Sequence, residues 1–371
     1  MKIGFDGKRT TQNLTGLGNY GRYVVRILAK FYPTNQYSIY AFQSPSETLT
    51  IDGVEYKYPR ENTVKSYWRS YGIVNDLVKQ KVDLFHGISN ELPYGLKKAR
   101  IPSVVTIHDL IFLRYPEYYK FIDRLIYKFK FRYAALNANK VIAISQQTKR
   151  DLVEYFKVRE DRIEVIYQNC DPIFRQTVPN AIRFTIIKKH SLPDKYLLSV
   201  GTIEERKNLM LIVKALTKIN NVHLVVVGKE TEYTEKVKDF INENKLVERV
   251  HFLSNIPHNE LPAIYQQAEL FIYPSKFEGF GIPIIEALHS GVPVIAATGS
   301  CLEEAGGPGS IYVDPNDHTD LANQIQGVLD NREKKDKMIS SGRLYLEKFD
   351  DKKVADQLLQ LYQNVLHDAQ R

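Results

Sequence analysis

The segment FIYPSKFEGFGIPIIEALHSGVPVIAA, residues 271–297, places two carboxylates eight positions apart around a glycine pair. Glu278 lies in a loop after an apolar run, G-F-G follows it, and Pro283 stands where a helix begins, a position at which a missing N–H costs nothing. Glu286 then falls on the first turns of that helix. The N–H groups of Phe280, Gly281 and Ile282 would point out of the helix N-terminus, where an anion is favoured. Neither carboxylate would touch the anion, because like charges repel; each is left to accept hydrogen bonds from hydroxyls. A ligand with phosphate at its centre and hydroxyl-rich rings on either side fits this arrangement, which is the chemistry of a nucleotide-sugar.

A second segment supplies the opposite charge. In LLSVGTIEERKNLMLIVKAL a strand ends at Gly201, and the loop delivers Arg206 and Lys207 to the start of the next helix. Two cations beside the positive end of a helix are unfavourable unless an anion joins them. With these residues in view, the chain resembles the retaining GT-B glycosyltransferases of family 4, also called group 1, over nearly its whole length and most strongly from 196 to 300. The Glu278–Glu286 pair has that family's E-x7-E spelling, and G-T-x-x-x-R-K-N is a variant of its phosphate loop. Thr202 stands where the commoner version has an arginine. The resemblance implies that Glu278 binds hydroxyls of the donor sugar, Glu286 the ribose, and Arg206 and Lys207 the diphosphate, with Gly201 beside them. It further implies transfer with retention, the leaving phosphate oxygen itself taking the acceptor proton. The loop spelling is closest to mannosyl- and rhamnosyltransferases of surface-polysaccharide assembly, so GDP-mannose is the expected donor and a saccharide or lipid-linked saccharide the expected acceptor. A GT-B nucleotide-sugar 2-epimerase and a non-catalytic nucleotide-sugar-binding partner of another transferase are the alternatives.

Three features of the front half could face such a ligand. SVVTIHDL sets His108 and Asp109 at a strand end, and DLFHGISNELP does the same for His86. A strand-end histidine serves either structure or chemistry, and the resemblance favours chemistry for His108 while leaving His86 open. TGLGNYG spells G-x-G-x-x-G with Gly16, Gly18 and Gly21. As a dinucleotide fingerprint it fails: the strand MKIGFDG ends well before it, and QYSIYAF leads into Gln43 and Ser44 rather than a carboxylate. It resembles instead the family's glycine loop after the first strand, approaching donor or acceptor. No D-x-D occurs and His and Cys lack ligand spacing, so no metal and no other cofactor is expected.

These residues need two scaffolds. Short Val- and Ile-rich runs alternate with helical patterns throughout, the grammar of parallel sheets covered by helices. The strand candidates KIGFD, YSIYAF, LFHG, SVVTIHD, KVIAIS and IEVIY belong to residues 1–178, with helices at 19–31, 66–80, 120–138 and 146–156. DPIFRQTVPN reads as a linker. The pattern restarts over 190–350 with YLLSVGT, HLVVVG, VHFLS, LFIYPS, PVIAA and SIYVD, and a last helix over 351–371 is free to pack back on the first domain. The expected fold is α/β, two doubly wound Rossmann-like domains facing a cleft at their strand C-terminal ends.

At 371 residues the chain is long enough for two domains. Two cysteines, no secretory apolar segment and no run of roughly 20 apolar residues point to a cytoplasmic protein. The net charge of +8 arises in residues 1–178, the remainder being slightly acidic. Its densest part, KFIDRLIYKFKFRYAALNANK at 120–140, interleaves cations with aromatics. It is either an amphipathic helix with its aromatics in the core or a peripheral contact with an anionic membrane. No nucleic-acid-binding module is present.

Overall fold

The computed structural model describes residues 1–13 and 16–370. The chain divides into two compact units, residues 1–169 together with 349–371, and residues 170–348.

The first unit is built on a seven-stranded, all-parallel sheet. Its strands are β1 (Lys2–Asp6), β2 (Gln36–Tyr40), β3 (Val54–Lys57), β4 (Leu84–Gly87), β5 (Ser103–Ile107), β6 (Lys140–Ala143) and β7 (Ile163–Val165), in the order β3-β2-β1-β4-β5-β6-β7. Strands β4 and β5 are buried at every residue, as expected of parallel strands covered on both faces. The order reverses direction between β1 and β4, which makes their C-terminal ends the switch point of the sheet.

The helix Gly16–Phe31 starts earlier than its apolar periodicity suggests. TGLGNYG is therefore the opening turns of a helix rather than a loop, with Thr15 outside the described residues. Gly18 has a packing reason: a Cβ there would lie 1.8 Å from the Asn13 carbonyl oxygen. Gly21 is similarly pressed by Thr10, whereas Gly16 has open space around it. The C-terminal helix Asp351–Gln370 belongs to this unit. It buries Val354, Leu358, Leu361 and Val365, one stripe at helical spacing, together with Ala355 and Tyr362.

The second unit carries β8 (Tyr196–Val200), β9 (His223–Val227), β10 (Val250–Leu253), β11 (Leu270–Tyr273), β12 (Val294–Ala297) and β13 (Ile311–Val313) in the parallel order β10-β9-β8-β11-β12-β13. This is the doubly wound order, with its reversal between β8 and β11. Residues 171–180 are not a bare linker. They hold the 3-10 turn Pro172–Arg175 and lead into the helix Asn180–Lys189. The segment is fastened within this unit by Gln266, which accepts from the Val178 N–H (2.9 Å) and donates to the Gln176 carbonyl (2.7 Å).

Candidate active site

In the second unit the switch point brings the two informative segments together. After β8 the backbone turns at Gly201, φ +142°, through the 3-10 turn Glu205–Lys207 and into the helix Leu209–Leu216. After β11 it runs through Ser275 to Gly281, φ +113°, and into the helix Ile282–His289, with Pro283 in its first turn. A side chain at Gly281 would be strained by that φ and would meet Leu302 at 3.0 Å. The two loops are fastened to each other. The Lys276 N–H donates to the Arg206 carbonyl (2.9 Å), and the Asn208 amide to the carbonyls of Pro274 (3.2 Å) and Pro315 (2.7 Å).

Glu278, Arg206 and Lys207 form one cluster. Glu278 Oε1 accepts from Lys207 Nζ (2.6 Å), Ser275 Oγ (2.7 Å) and the Tyr273 hydroxyl (3.0 Å), and Oε2 lies 2.8 Å from Arg206 Nη1. Arg206 Nη2 also meets Glu204 at 2.6 Å. Burial opposes ionisation of Glu278, but the charges of Lys207 and Arg206 outweigh it and hold the carboxyl at about 2. Sequence reasoning gave Glu278 to the ligand's hydroxyls. In the structure it is the protein's own counter-anion to both cations, already bonded to the hydroxyls of Ser275 and Tyr273. Tyr273 and Ser275 were missed because nothing in LFIYPS marks them; only the strand end that carries them was legible. Cys301, fully buried, donates its thiol to the carbonyls of Glu278 (3.0 Å) and Phe280 (3.3 Å) and thereby fixes the loop from below.

Glu286 lies on the helix that follows the Glu278 loop, in a different environment. The Tyr265 hydroxyl donates to its Oε2 at 2.8 Å. Burial pushes its pKa up to about 7, against the Tyr265 hydrogen bond and the charge of His258, which favour the ionised form. The two carboxylates of the E-x7-E spelling are thus opposites, one held ionised and one poised to titrate near neutrality. Phe280 is buried and Ile282 opens the helix; Pro283 has no N–H to offer, and the Ile284 N–H donates to the Gly281 carbonyl (3.0 Å).

In the first unit His108 follows β5 and is nearly buried, its ring edge-on to Tyr20 with centroids 4.6 Å apart. Its Nε2 lies 3.0 Å from the Ile88 carbonyl oxygen, so that nitrogen carries the proton and Nδ1 is the acceptor. Burial lowers its pKa to about 4, and at pH 7 it is neutral. His86 is a core residue. Nδ1 bonds the Tyr362 hydroxyl (2.7 Å) and Nε2 the Thr106 hydroxyl (2.8 Å), which itself meets Tyr20 at 2.9 Å. Fully enclosed, His86 is held neutral, its pKa brought down to about 3 by burial and then by His108. Its partner lies on the C-terminal helix, far beyond any local pattern.

The helix Phe121–Asn137 covers most of the basic, aromatic segment 120–140. Phe131, Ala134 and Ala135 are its buried residues, while Phe121, Ile122 and Phe129 are 67%, 69% and 66% exposed, with Leu125 and Ile126 beside them. Its apolar stripe faces outward. Among the described residues no helix is long and apolar enough to cross a membrane, and no three His, Cys, Asp or Glu side chains gather as a metal site requires.

Comparison with known proteins identifies the family and the fold. The family profile described as Glycosyl transferases group 1 matches residues 183–366, and that described as Glycosyltransferase Family 4 matches 21–172. The chain is 29% identical to O-antigen chain mannosyltransferase B of Escherichia coli over 241 residues, 63% of this chain and 62% of that protein. It is 27% identical to O-antigen chain mannosyltransferase RfbU of Salmonella typhimurium over 228 residues, 61% of this chain and 60% of the relative. The matches span less than two thirds of these relatives' own lengths. The fold matches that of Anabaena HepE, solved in complex with UDP and glucose, with a TM-score of 0.76 at 20% identity, covering 97% of this chain and 99% of that one.

Proposed function

Because the chain belongs to the group 1, family 4 glycosyltransferases and has their GT-B architecture of two Rossmann-like units, we propose that it transfers a sugar from a nucleotide-sugar to an acceptor hydroxyl. We take the donor to be GDP-mannose, the transfer to be retaining and metal-independent, and the product to belong to a surface polysaccharide or glycolipid. The O-antigen mannosyltransferases among its relatives support the choice of sugar and setting.

The observation that carries the reading is the cluster of Arg206, Lys207 and Glu278 beside the start of the helix that bears Glu286. A diphosphate placed against the two cations would share the counter-anion role that Glu278 holds between them. As the glycosidic bond breaks, the leaving oxygen gains charge, and a cation aimed at it gains strength; only that difference speeds the reaction. Glu278, fixed by Ser275 and Tyr273, keeps acceptor capacity for a sugar hydroxyl on Oε2, and Glu286 accepts from the ribose. Neutral His108, with Nδ1 free of its proton, suits a hydrogen bond to a sugar hydroxyl. The outward stripe of the helix Phe121–Asn137, flanked by Lys128 and Arg132, suits adsorption to an anionic bilayer where a lipid-linked acceptor resides.

The deciding experiment measures kcat and KM separately at saturating acceptor. Lys207→Ala is expected to lower kcat by roughly 100- to 1,000-fold, more than it raises KM, and Arg206→Lys to slow the reaction because an ammonium cannot form a two-pronged grip on phosphate. An unchanged kcat in Lys207→Ala removes leaving-group stabilisation from this residue. Release of free sugar from the donor with no acceptor requirement would indicate an epimerase, and donor binding without turnover a silent partner.

A further inference from the structure

The first unit contains a second polar hollow, built entirely from its own residues at the switch point of its sheet. Asp6 ends β1, Tyr40 ends β2 and Glu91 follows β4, and a hollow of about 40 Å³ lies among them. That is room for a few waters or one phosphate-sized group, and the location is where open α/β sheets bind ligands.

Its charges do not balance. Lys8, Lys65, Arg69 and Lys130 line it against Asp6 and Glu91 alone. Three of the cations converge on one carboxylate: Glu91 Oε1 lies 2.7 Å from Lys8 Nζ, and Oε2 lies 3.0 Å from Arg69 Nη2 and 3.6 Å from Lys130 Nζ. Asp6 is already engaged by the Lys8 N–H (3.0 Å) and the Ser89 hydroxyl. Lys65 lies over the Phe42 ring, 5.5 Å from its centroid. Among the described residues the buried Arg69 Nε has no hydrogen-bond partner. A network serving stability alone would end neutral and satisfied; this one holds two surplus positive charges and an unused guanidinium donor in a concave site.

We infer that this hollow binds a phosphate group carried by the acceptor, through Arg69, Lys8 and Lys130. A phosphate monoester or a diphosphate diester brings about two negative charges, which matches the surplus, and the planar fork of Arg69 suits phosphate oxygens. A neutral saccharide would leave the surplus uncompensated. Lys130 lies on the same helix as the exposed stripe Phe121–Phe129, so a lipid attached to that phosphate would have an apolar surface nearby. That the ligand is an acceptor rests on the transfer reading above; that the hollow takes phosphate does not.

The test is calorimetric titration of the full chain, presaturated with GDP, using inorganic pyrophosphate and, in a second arm, geranyl diphosphate. Wild type is expected to bind pyrophosphate, and Arg69→Gln and Lys130→Gln each to weaken it about tenfold, the loss of one hydrogen bond to a charged group. GDP affinity is expected to change less than twofold in both variants, which also shows that they fold. Lys130 is the more exposed of the two and keeps the test alive if Arg69→Gln does not fold. Tighter binding of geranyl diphosphate identifies a lipid-borne phosphate, and equal binding a soluble sugar phosphate; both support the inference. Pyrophosphate affinities within twofold of wild type in the variants overturn it. Failure of GDP to bind at all would count against the proposed donor and not against this hollow.

Discussion

Replacing Glu278 by Gln keeps the shape of the side chain and removes its charge from between two cations. In the wild type, burial alone would raise this carboxyl, yet Lys207 and Arg206 bring it from 4.5 to about 2. The side chain is only 12% exposed, so solvent screening reduces the effect little. The difference corresponds to ~3 kcal/mol of stability at neutral pH. The sign follows from the depressed value: the stabilisation is full above about 4.5 and is lost as pH falls towards 2. For a folded unit of this size the loss amounts to a fall of roughly 6–12 °C in Tm at pH 7. Thermal unfolding followed by circular dichroism at pH 7 and pH 3 measures it. The gap between variant and wild type should be wide at pH 7 and shrink at pH 3. A nucleoside diphosphate should then recover more stability in the variant than in the wild type at equal concentration, because its phosphates replace the missing anion. A Tm within 2 °C of wild type at pH 7, or a gap that does not respond to pH, would refute the counter-anion role.

Three further outcomes are expected. If Glu286, raised to about 7, accepts from ribose hydroxyls as a carboxylate, nucleotide affinity should rise between pH 6 and pH 8 by up to about tenfold per pH unit below that pKa, and Glu286→Gln should flatten the profile in a calorimetric pH series. Phe121→Ser with Phe129→Ser, or Lys128→Glu with Arg132→Glu, should reduce cosedimentation with anionic vesicles while donor hydrolysis persists, each cation near the surface contributing about 1 kcal/mol; wild type that ignores such vesicles at low salt ends the membrane reading. Tyr362→Phe leaves His86 Nδ1 without its partner and should cost about 1–3 kcal/mol in urea unfolding, with kcat unchanged; a large loss of kcat in folded protein would give His86 a role beyond the core.

The sequence carried the centre of the site because its chemistry is local. Gly281, Pro283 and Glu286 share one loop and helix, and Arg206 and Lys207 share one turn, so spacing alone could place them. The pairing of Glu278 with both cations joins loops about 70 positions apart, and only the sheet order makes them neighbours. Strand β3 escaped notice because VEYK is an edge strand with no fully buried residue. The helix Arg332–Tyr345 escaped for a related reason: Met338 and Gly342 are its only buried residues among those described, too few to make a stripe. For the helix Phe121–Asn137 composition marked the apolar and basic residues and left the facing open, since an apolar stripe is spelled alike whether it faces the core or away from it.

The bond between His86 and Tyr362 also bears on the order in which the molecule is made. The two residues are 276 positions apart, and everything from 170 to 348 is an insertion within the first unit. On a ribosome adding roughly 5–20 residues per second, His86 emerges ~15–55 s before the tyrosine that completes it. Residues 170 to 348 are themselves made within that interval, while the unit that began first waits with a histidine and a threonine hydroxyl uncovered. The N-terminal half of this chain is thus the first to be synthesised and the last to be finished.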